Sequence, residues 1–156
     1  YGETLRMGSQ PGLLRCNTNV TPLPGGEQFV ITDTLEKKLI VVDRATKNIL
    51  WEWQKNDAKW LQHVWPTVDG TFVLEDRQKH EVFEVDQTGR ILWTLDKLAD
   101  GQYINYPTDV IKLGNGNVLI AEAGRGRIIE VNPATGELIN SITGVGFVTT
   151  IAIDTL

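Results

Sequence analysis

The chain has 156 residues, of which 41% are hydrophobic and 22% are charged, and its formal net charge is −5. This length and composition are ordinary for a single globular domain with its own hydrophobic core. The acidic balance argues against general nucleic-acid binding, and no apolar run reaches the roughly 18 residues of a membrane-spanning helix. We therefore expect one domain with no nucleic-acid partner and no membrane span.

One block of sequence occurs three times. The copies read KLIVVDRATKNILWEW, EVFEVDQTGRILWTL and RIIEVNPATGELINSI, and they lie 43 and 46 residues apart when aligned on Asp43, Asp86 and Asn132. A repeat of this length, made of short alternating strands, is typical of a β-propeller blade. The predicted fold is all-β, with about three and a half four-stranded antiparallel blades.

Each copy belongs to a longer unit that we interpret as four strands. In chain order the strands are predicted at 16–23, 28–33, 38–43 and 49–54, then at 63–68, 71–76, 81–86 and 91–95, and last at 107–113, 117–122, 127–132 and 138–142. Asp69-Gly70 and Asn115-Gly116 separate apolar runs, as type I′ hairpin turns do. The blades then span approximately 16–54, 62–96 and 105–142 within a domain covering 1–156.

The recurring polar residue of each copy has a structural explanation. Asp43, Asp86 and Asn132 stand where the third strand enters a tight turn. Their side-chain oxygens can accept hydrogen bonds from backbone N–H groups two or three residues further on, which makes an Asx turn. We interpret these residues as turn formers rather than catalytic groups.

Tryptophans mark the fourth strands and one connection. Trp51, Trp53 and Trp93 lie on fourth strands, where a large ring can bury the face between neighbouring blades. Trp60 and Trp65 lie at the entry to the second blade and have no equivalents in the other copies. We predict blade packing for the first three and treat Trp60 and Trp65 as candidate ligand-binding residues.

The two ends of the chain predict incomplete blades. Residues 146–156 resemble the first strand of a further blade, and residues 3–8 resemble the last strand of one. A propeller ring needs about four to eight blades, so three and a half cannot close. We expect either that the chain belongs to a longer propeller or that copies of it assemble, because an open arc leaves apolar faces uncovered.

The repeats resemble two related groups of propeller proteins. Asp43 to Trp53 and Asp86 to Trp93 resemble the PQQ-type (quinoprotein) repeat, which carries a similar Thr-Gly ending followed by Trp. Pro107 to Asn132 is similar to the repeats of NHL and arylsulfotransferase-like propellers. The resemblance implies blade architecture, and it implies little about activity because these repeats occur in enzymes, sensors and scaffolds.

The resemblance implies active-site residues of these enzymes that this sequence matches poorly. Quinoprotein dehydrogenases hold a metal and a cofactor in the channel of a complete ring, and no matching ligand set is visible here. Arylsulfotransferase-like enzymes use channel histidines and arginines, whereas this chain has only two histidines. We therefore expect no cofactor and no metal.

His63 and Asp109 are weak candidates for catalysis. Both are predicted on the innermost strand of their blades, with Val20 as the counterpart in the first blade. Innermost strands line the channel of a propeller, so a histidine facing an aspartate there could act as a general base or as half of a metal site. Capping of the strand is the alternative role for the pair.

Basic hairpins connect the second and third strands. Arg125 and Arg127 lie in a glycine-rich hairpin that corresponds to basic hairpins at 35–38 and 77–81. Together these hairpins could form an anion-binding patch on one rim, which makes Arg125 and Arg127 candidate ligand-binding residues. Solvated charges that protect a sheet edge are the simpler interpretation.

The sequence favours a non-enzymatic propeller module that binds a small molecule or a protein, or that assembles with copies of itself as a scaffold. The alternative is part of a propeller enzyme, or one protomer of it, with His63 and Asp109 in the channel. The resemblance implies an extracytoplasmic or secreted protein, while a cytoplasmic location stays open. Asn19 begins one N-glycosylation triplet, a pattern that also arises by chance.

Overall fold

In the computed structural model, which describes residues 14–152, the chain forms twelve strands in three four-stranded antiparallel sheets. Blade 1 contains β1 (Asn17–Pro22), β2 (Gln28–Asp33), β3 (Lys38–Asp43) and β4 (Ile49–Gln54). Blade 2 contains β5 (Leu61–Pro66), β6 (Phe72–Asp76), β7 (Glu81–Val85) and β8 (Ile91–Leu95). Blade 3 contains β9 (Pro107–Lys112), β10 (Val118–Glu122), β11 (Arg127–Val131) and β12 (Leu138–Thr143), with one 3₁₀ turn at Ala123–Arg125. Strand order follows the sequence in each sheet, so the fold is an open arc of three propeller blades.

Most strand predictions are confirmed to within one or two residues, and the first strand of blade 2 shows the largest shift. It was predicted at 63–68 and is observed at Leu61–Pro66. Its pairing with β6 shifts register between Leu61 and Val64, which is a β-bulge. Val68 instead lies in the turn before Gly70 and is 90% exposed. The apolar character of Val68 was therefore misleading, because this valine does not belong to a strand.

The Asx-turn prediction is confirmed in all three copies. Asp43 Oδ1 accepts from the backbone N–H groups of Ala45 and Thr46. Asp86 Oδ1 accepts from Thr88 N and Arg90 N, and Asn132 Oδ1 accepts from Ala134 N and Thr135 N. These side chains satisfy backbone donors of the turn, which is the reason for their recurrence.

Each blade carries apolar side chains on both faces, and blade 2 packs between blades 1 and 3. We call the face turned to the following blade the forward face and the opposite one the backward face. The forward faces of the three blades carry, in equivalent register, Val30, Thr32, Leu39 and Val41; Val73, Glu75, Val82 and Glu84; and Leu119, Ala121, Ile128 and Glu130. The backward faces carry Phe29, Ile31, Ile40 and Val42; Phe72, Leu74, Phe83 and Val85; and Val118, Ile120, Ile129 and Val131.

Two apolar cores lie between the blades. One joins the forward face of blade 1 to the backward face of blade 2, and it includes Leu39, Val41, Phe72 and Phe83. The other joins blade 2 to blade 3 in the same way, and it includes Val82 and Ile120. Burial of apolar area between consecutive sheets is the main force holding the arc together.

Tryptophans on β4 attach blade 1 to the turn of blade 2, as predicted. Trp51 Nε1 donates to Gln87 O at 2.8 Å, and Trp53 Nε1 donates to Gly89 O at 3.0 Å. The Trp51 ring stacks on Phe72 with centroids 5.1 Å apart. Trp93 also packs in an interblade core, but its Nε1 donates to Glu84 of its own blade at 2.6 Å.

A buried ion pair links blade 2 to blade 3. Glu84 is 1% exposed, and Lys112 Nζ contacts its two carboxylate oxygens at 2.7 and 2.8 Å. Thr71 Oγ1 and Trp93 Nε1 donate to the same carboxylate. Burial raises the pKa of Glu84, but the hydrogen bonds from Lys112, Thr71 and Trp93 outweigh it and hold that pKa below its ordinary value.

Removal of one charge of the Glu84–Lys112 pair should destabilise the folded chain. Lys112→Met leaves the Glu84 charge buried without its cation, and we expect the free energy of unfolding to fall by about 3–5 kcal/mol. Urea unfolding measures the loss. The double variant Glu84→Gln with Lys112→Met leaves no buried charge and should recover most of it. Equal losses in the single and double variants would show that the ion pair is not the cause.

A second repeated carboxylate was missed at the sequence level. Asp33, Asp76 and Glu122 end the second strand of each blade and are fully buried. Asp76 accepts from the backbone N–H groups of Lys59, Trp60 and Lys79 at 2.7, 3.0 and 3.1 Å. Asp33 accepts from Arg15 N, Cys16 N and Glu36 N in the same way. The carboxylate fixes the loop that enters each blade to the hairpin beside it.

Asp76→Ala should therefore destabilise the chain strongly. Three backbone donors lose a charged acceptor in a buried position, so we expect a loss of roughly 3 kcal/mol or more in the free energy of unfolding. Asp69→Ala is the matched control, because Asp69 is exposed in the β5–β6 turn. Chemical unfolding of both variants gives the comparison, and similar midpoints would contradict the proposed role of Asp76.

The two ends of the arc differ. On the backward face of blade 1, Ile31, Ile40 and Val42 are buried in a cluster with Leu14 and Phe29, whereas no further blade covers the forward face of blade 3 in the described part of the chain. Residues 145–151 lie along one rim of blade 3, where Val145 N donates to Gly126 O at 3.2 Å and Thr108 Oγ1 donates to Val148 O at 2.7 Å. Residues 144–152 form no regular strand. Residues 3–8 and 153–156, which were predicted as parts of partial strands, lie outside the described residues.

Candidate functional site

The innermost strands bring one polar residue per blade into equivalent positions. Asp109 pairs with Ala121 and Asn19 pairs with Thr32, while Val20, Val64 and Val110 occupy the next position. The counterpart of His63 and Asp109 in blade 1 is therefore Asn19, and the assignment of Val20 was wrong by one residue. Each innermost strand has a register shift just before this position, so the bulge is common to the three blades. The β1–β2 turn is one residue longer than the β5–β6 and β9–β10 turns, as the pairs Val20–Ile31, Val64–Leu74 and Val110–Ile120 show, and this extra residue hides the register in the sequence.

His63 lies between blades 2 and 3. Its Nδ1 is 2.6 Å from Thr108 O, so this nitrogen carries the proton and donates to the carbonyl. The same nitrogen is 3.8 Å from Glu75 Oε1 and 3.8 Å from Asp109 Oδ1. The structure thus brings His63 and Asp109 together, as the sequence suggested, and it adds Glu75, which the sequence reasoning missed.

The carboxyl groups of Glu75 and Asp109 already accept hydrogen bonds from backbone N–H groups. Glu75 Oε1 accepts from His63 N at 2.8 Å, and Asp109 Oδ2 accepts from Ile151 N at 2.8 Å. Asp109 Oδ1 accepts from its neighbour Val110 N at 2.8 Å. These contacts tie the innermost strands of blades 2 and 3 and the segment after blade 3 into one network.

Burial changes the titration of both acids. Burial, reinforced by the charge of Asp109, raises the pKa of Glu75 well above its ordinary value of 4.5. Burial also raises the pKa of Asp109, although the hydrogen bond from Ile151 N and the nearby His63 oppose the shift. Glu75 Oε2 is buried and has no hydrogen-bond partner, which fits a carboxyl group that is kept neutral.

This cluster can hold a proton, and its geometry does not fit a metal. Among residues 14–152, no group of three or more His, Cys, Asp or Glu side chains is arranged to hold a metal ion. His63 Nε2 is the one ring nitrogen left to accept a proton, since Nδ1 is bound to Thr108 O. The cluster is therefore a structural network with one chemically available nitrogen.

The basic hairpin residues are held by a buried acid. Arg125 contacts Glu122 Oε1 at 3.0 Å, and Arg127 Nε donates to Glu122 Oε2. Arg125 also donates to Tyr103 O at 2.5 Å. In blade 2, Lys79 of the corresponding hairpin contacts Asp57 and Glu81 at 2.6 and 3.2 Å. Internal pairing leaves little free positive charge on this rim for an anion.

Trp65 and Trp60, the two tryptophans at the entry to blade 2, lie in different surroundings. Trp65 packs against the apolar core between blades 2 and 3, so most of its ring serves packing. Trp60 is half-buried, and its Nε1 is a buried donor with no partner within the described residues. A ligand-binding role for either tryptophan stays a prediction, as does one for Arg125 and Arg127.

One protein family matches the amino-acid sequence along nearly the whole chain. The family described as outer membrane protein assembly factor BamB, a PQQ-type repeat (PQQ_2), matches residues 6–145. The chain belongs to this family. The predicted resemblance to PQQ-type propeller repeats is thereby confirmed. No curated protein matches the chain significantly.

Solved structures similar to this PQQ-type protein include propeller domains. The β-propeller domain of Cps50 (Swd1) from Myceliophteria thermophila has a TM-score of 0.71 at 17% identity over 91% of this chain and 46% of its own. Virginiamycin B lyase from Staphylococcus aureus, a catalytically inactive variant with quinupristin, has 0.65 at 12% identity over 86% and 42%. Kuenenia stuttgartiensis hydrazine synthase has 0.67 at 17% identity over 92% and 39%. The chain spans less than half of each structure, and at these identities the likeness shows the fold alone.

No helix among the described residues is long and apolar enough to cross a membrane.

The buried acid predicts a pH dependence of stability. The pKa of Glu75 is raised in the folded chain, so the protonated carboxyl group stabilises the folded state relative to the unfolded one. This stabilisation is fully present below about pH 4.5 and is lost as pH rises through the folded pKa. Glu75→Gln keeps a neutral group of similar shape, so the fall in stability between about pH 5 and about pH 8 should become smaller. The midpoints of urea unfolding, measured across this pH range, give the size of the fall in stability. Glu27→Gln, at an exposed turn, is the control, and an identical pH profile for Glu75→Gln and the parent chain would contradict the assignment.

Proposed function

We propose that the chain is a non-enzymatic propeller module that binds protein through apolar residues left exposed at the two ends of its arc. The observation that carries this proposal is how the polar candidates are used: His63, Arg125 and Arg127 are all engaged in internal contacts. In contrast, Ile142 on the forward face of blade 3 is 58% exposed, and Val20 on the innermost strand of blade 1 is 51% exposed.

Apolar side chains exposed together on one surface are typical of protein interaction sites. The forward faces of blades 1 and 2 are each covered by the next sheet, so the equivalent face of blade 3 has the shape to accept another protein surface. The family description, an outer membrane protein assembly factor, supports an extracytoplasmic module that acts on or with other proteins. No cofactor or metal is needed for this role.

An enzymatic role is the second candidate function, and the fixed orientation of the His63 imidazole favours it. His63 has its Nδ1 bound to Thr108 O, which leaves Nε2 free to accept a proton. Asn19 and Asp109 occupy the equivalent positions of the other two blades, so a ligand in the channel could meet an amide, an imidazole and a carboxyl group. In an enzyme His63→Ala would abolish turnover, whereas in a binding module it leaves binding intact.

Binding to a purified outer-membrane β-barrel protein, unfolded and held in dilute urea, tests the proposal. We expect saturable binding that weakens roughly tenfold or more in Ile142→Asp and Val20→Asp, because each places a charge in an apolar contact. Val68→Asp is the matched control, since Val68 is 90% exposed in a turn away from both faces. Absence of binding, or equal affinity for all variants, would contradict the proposal.

A further inference from the structure

A cavity of 380 Å³ opens on the rim between blades 2 and 3. One wall is the hairpin before β7, with Lys79 and His80, and the other is the hairpin before β11, with Arg125. The connection from β8 to β9 supplies the rest of the lining, with Asp96 and residues 103–105. Small-molecule sites usually measure about 300–1,000 Å³, so this cavity suits one small ligand or one unit of a longer ligand.

Two polar side chains of the cavity are held in place by neighbouring groups. The buried Glu122 carboxylate accepts from Arg125 Nη1 at 3.0 Å and from the backbone N–H of Asn105 at 2.7 Å. Asn105 Nδ2 donates to Gly124 O at 3.2 Å, and a Cβ at Gly124 would lie only 2.6 Å from Asn105 Cγ, so the glycine makes room for the amide. Groups fixed in this way lose little freedom when a ligand binds.

The cations of the cavity are already neutralised by the protein. Arg125 is paired with Glu122, and Lys79 contacts Asp57 at 2.6 Å and Glu81 at 3.2 Å. The carboxylate of Asp96, in contrast, is exposed and has no partner among residues 14–152. A free carboxylate beside neutralised cations repels an anionic ligand.

Tyr103 presents an aromatic surface at this cavity. It is 60% exposed, although its backbone is fixed by a bridge to Lys97 and by Arg125, which donates to Tyr103 O at 2.5 Å. Lys97 Nζ lies 5.1 Å from the ring centroid, where it makes a cation–π contact and offsets the charge of Asp96. The cavity is thus close to neutral, and the exposed ring offers a large contact area at a low entropic cost.

Hydrogen-bonding groups of both kinds are left for a ligand. His80 Nδ1 accepts from Tyr106 N at 2.8 Å, so Nε2 carries the ring proton and is a donor. The Asp96 carboxylate is an acceptor, and the Tyr103 hydroxyl, which has no partner within the described residues, is both donor and acceptor. Hydroxyl groups of a ligand also donate and accept, so they match this set.

We propose that this cavity binds an uncharged sugar unit of an oligosaccharide or polysaccharide. A pyranose ring carries hydroxyl groups around its edge and C–H groups on its faces. Its C–H face packs on the Tyr103 ring, and its hydroxyl groups form hydrogen bonds with His80 and Asp96. This sugar site goes beyond the proposed protein binding, and both of its walls belong to blades 2 and 3.

Calorimetric titration of the purified full chain with maltohexaose, cellohexaose and chitohexaose tests the proposal. We expect saturable binding of at least one of these neutral sugars, with a dissociation constant of about 1 mM or below. Tyr103→Ala and Asp96→Ala should each weaken binding about tenfold or more, because one removes the aromatic surface and the other removes the free acceptor. Tyr103→Phe keeps the ring and should lose less affinity. Leu92→Ala, at an exposed position of β8, is the matched control.

Absence of saturable binding to all three sugars at about 10 mM, or full affinity in Tyr103→Ala, would overturn the sugar site. Tighter binding of hexagalacturonate, which carries carboxylates, would also overturn it, because the cavity would then be an anion site. Weaker binding of the unfolded barrel protein by Tyr103→Ala, with no sugar bound, would assign the cavity to a protein instead. None of these results depends on Ile142→Asp, so the proposed function is tested separately.

Discussion

Every blade of this chain depends on the sheets beside it. A four-stranded sheet that is apolar on both faces cannot bury both of them by itself, and only blade 2 has a blade on each side here. Its strands β6 and β7 are accordingly buried at every position. The equivalent strand of blade 1, β3, is buried except at its last residue, because Leu14 and Phe29 pack with its backward face, whereas β11 of blade 3 is buried at only two of its five positions. The forward face of blade 3 is therefore the surface with most to gain from a partner.

The polar groups inside this apolar stack differ between the two blade contacts. The Trp51 and Trp53 hydrogen bonds operate only between blades 1 and 2, and the Glu84–Lys112 pair operates only between blades 2 and 3. The buried carboxylates Asp33, Asp76 and Glu122 act within each blade, where they hold the entry loop. Common backbone devices thus build each blade, and unique side chains join each pair of neighbours.

Strand positions were predictable because period-two patterns and Gly-containing turns depend on local sequence, as in Lys38–Asp43. The Asx turns followed from the same local rules. The roles of Glu75 and Asp76 were not predictable, since their partners at 59, 60 and 63 lie more than ten residues away along the chain. The β1–β2 turn has one residue more than its counterparts in blades 2 and 3, so Asn19 was overlooked as the counterpart of His63. Arg125 and Arg127 looked free in the sequence because Glu122 is buried among them only after folding.

Amide hydrogen exchange, measured without and with the unfolded barrel protein, tests most directly whether the exposed end of the arc binds protein. Exchange reports local opening, which is easiest where a sheet has no neighbour. We predict that exchange in β11 and β12 of blade 3 slows when the barrel protein is added, while exchange in β6 and β7 of blade 2 stays slow throughout. Exchange in blade 3 that is unchanged by the barrel protein would contradict the claim that this end of the arc binds protein.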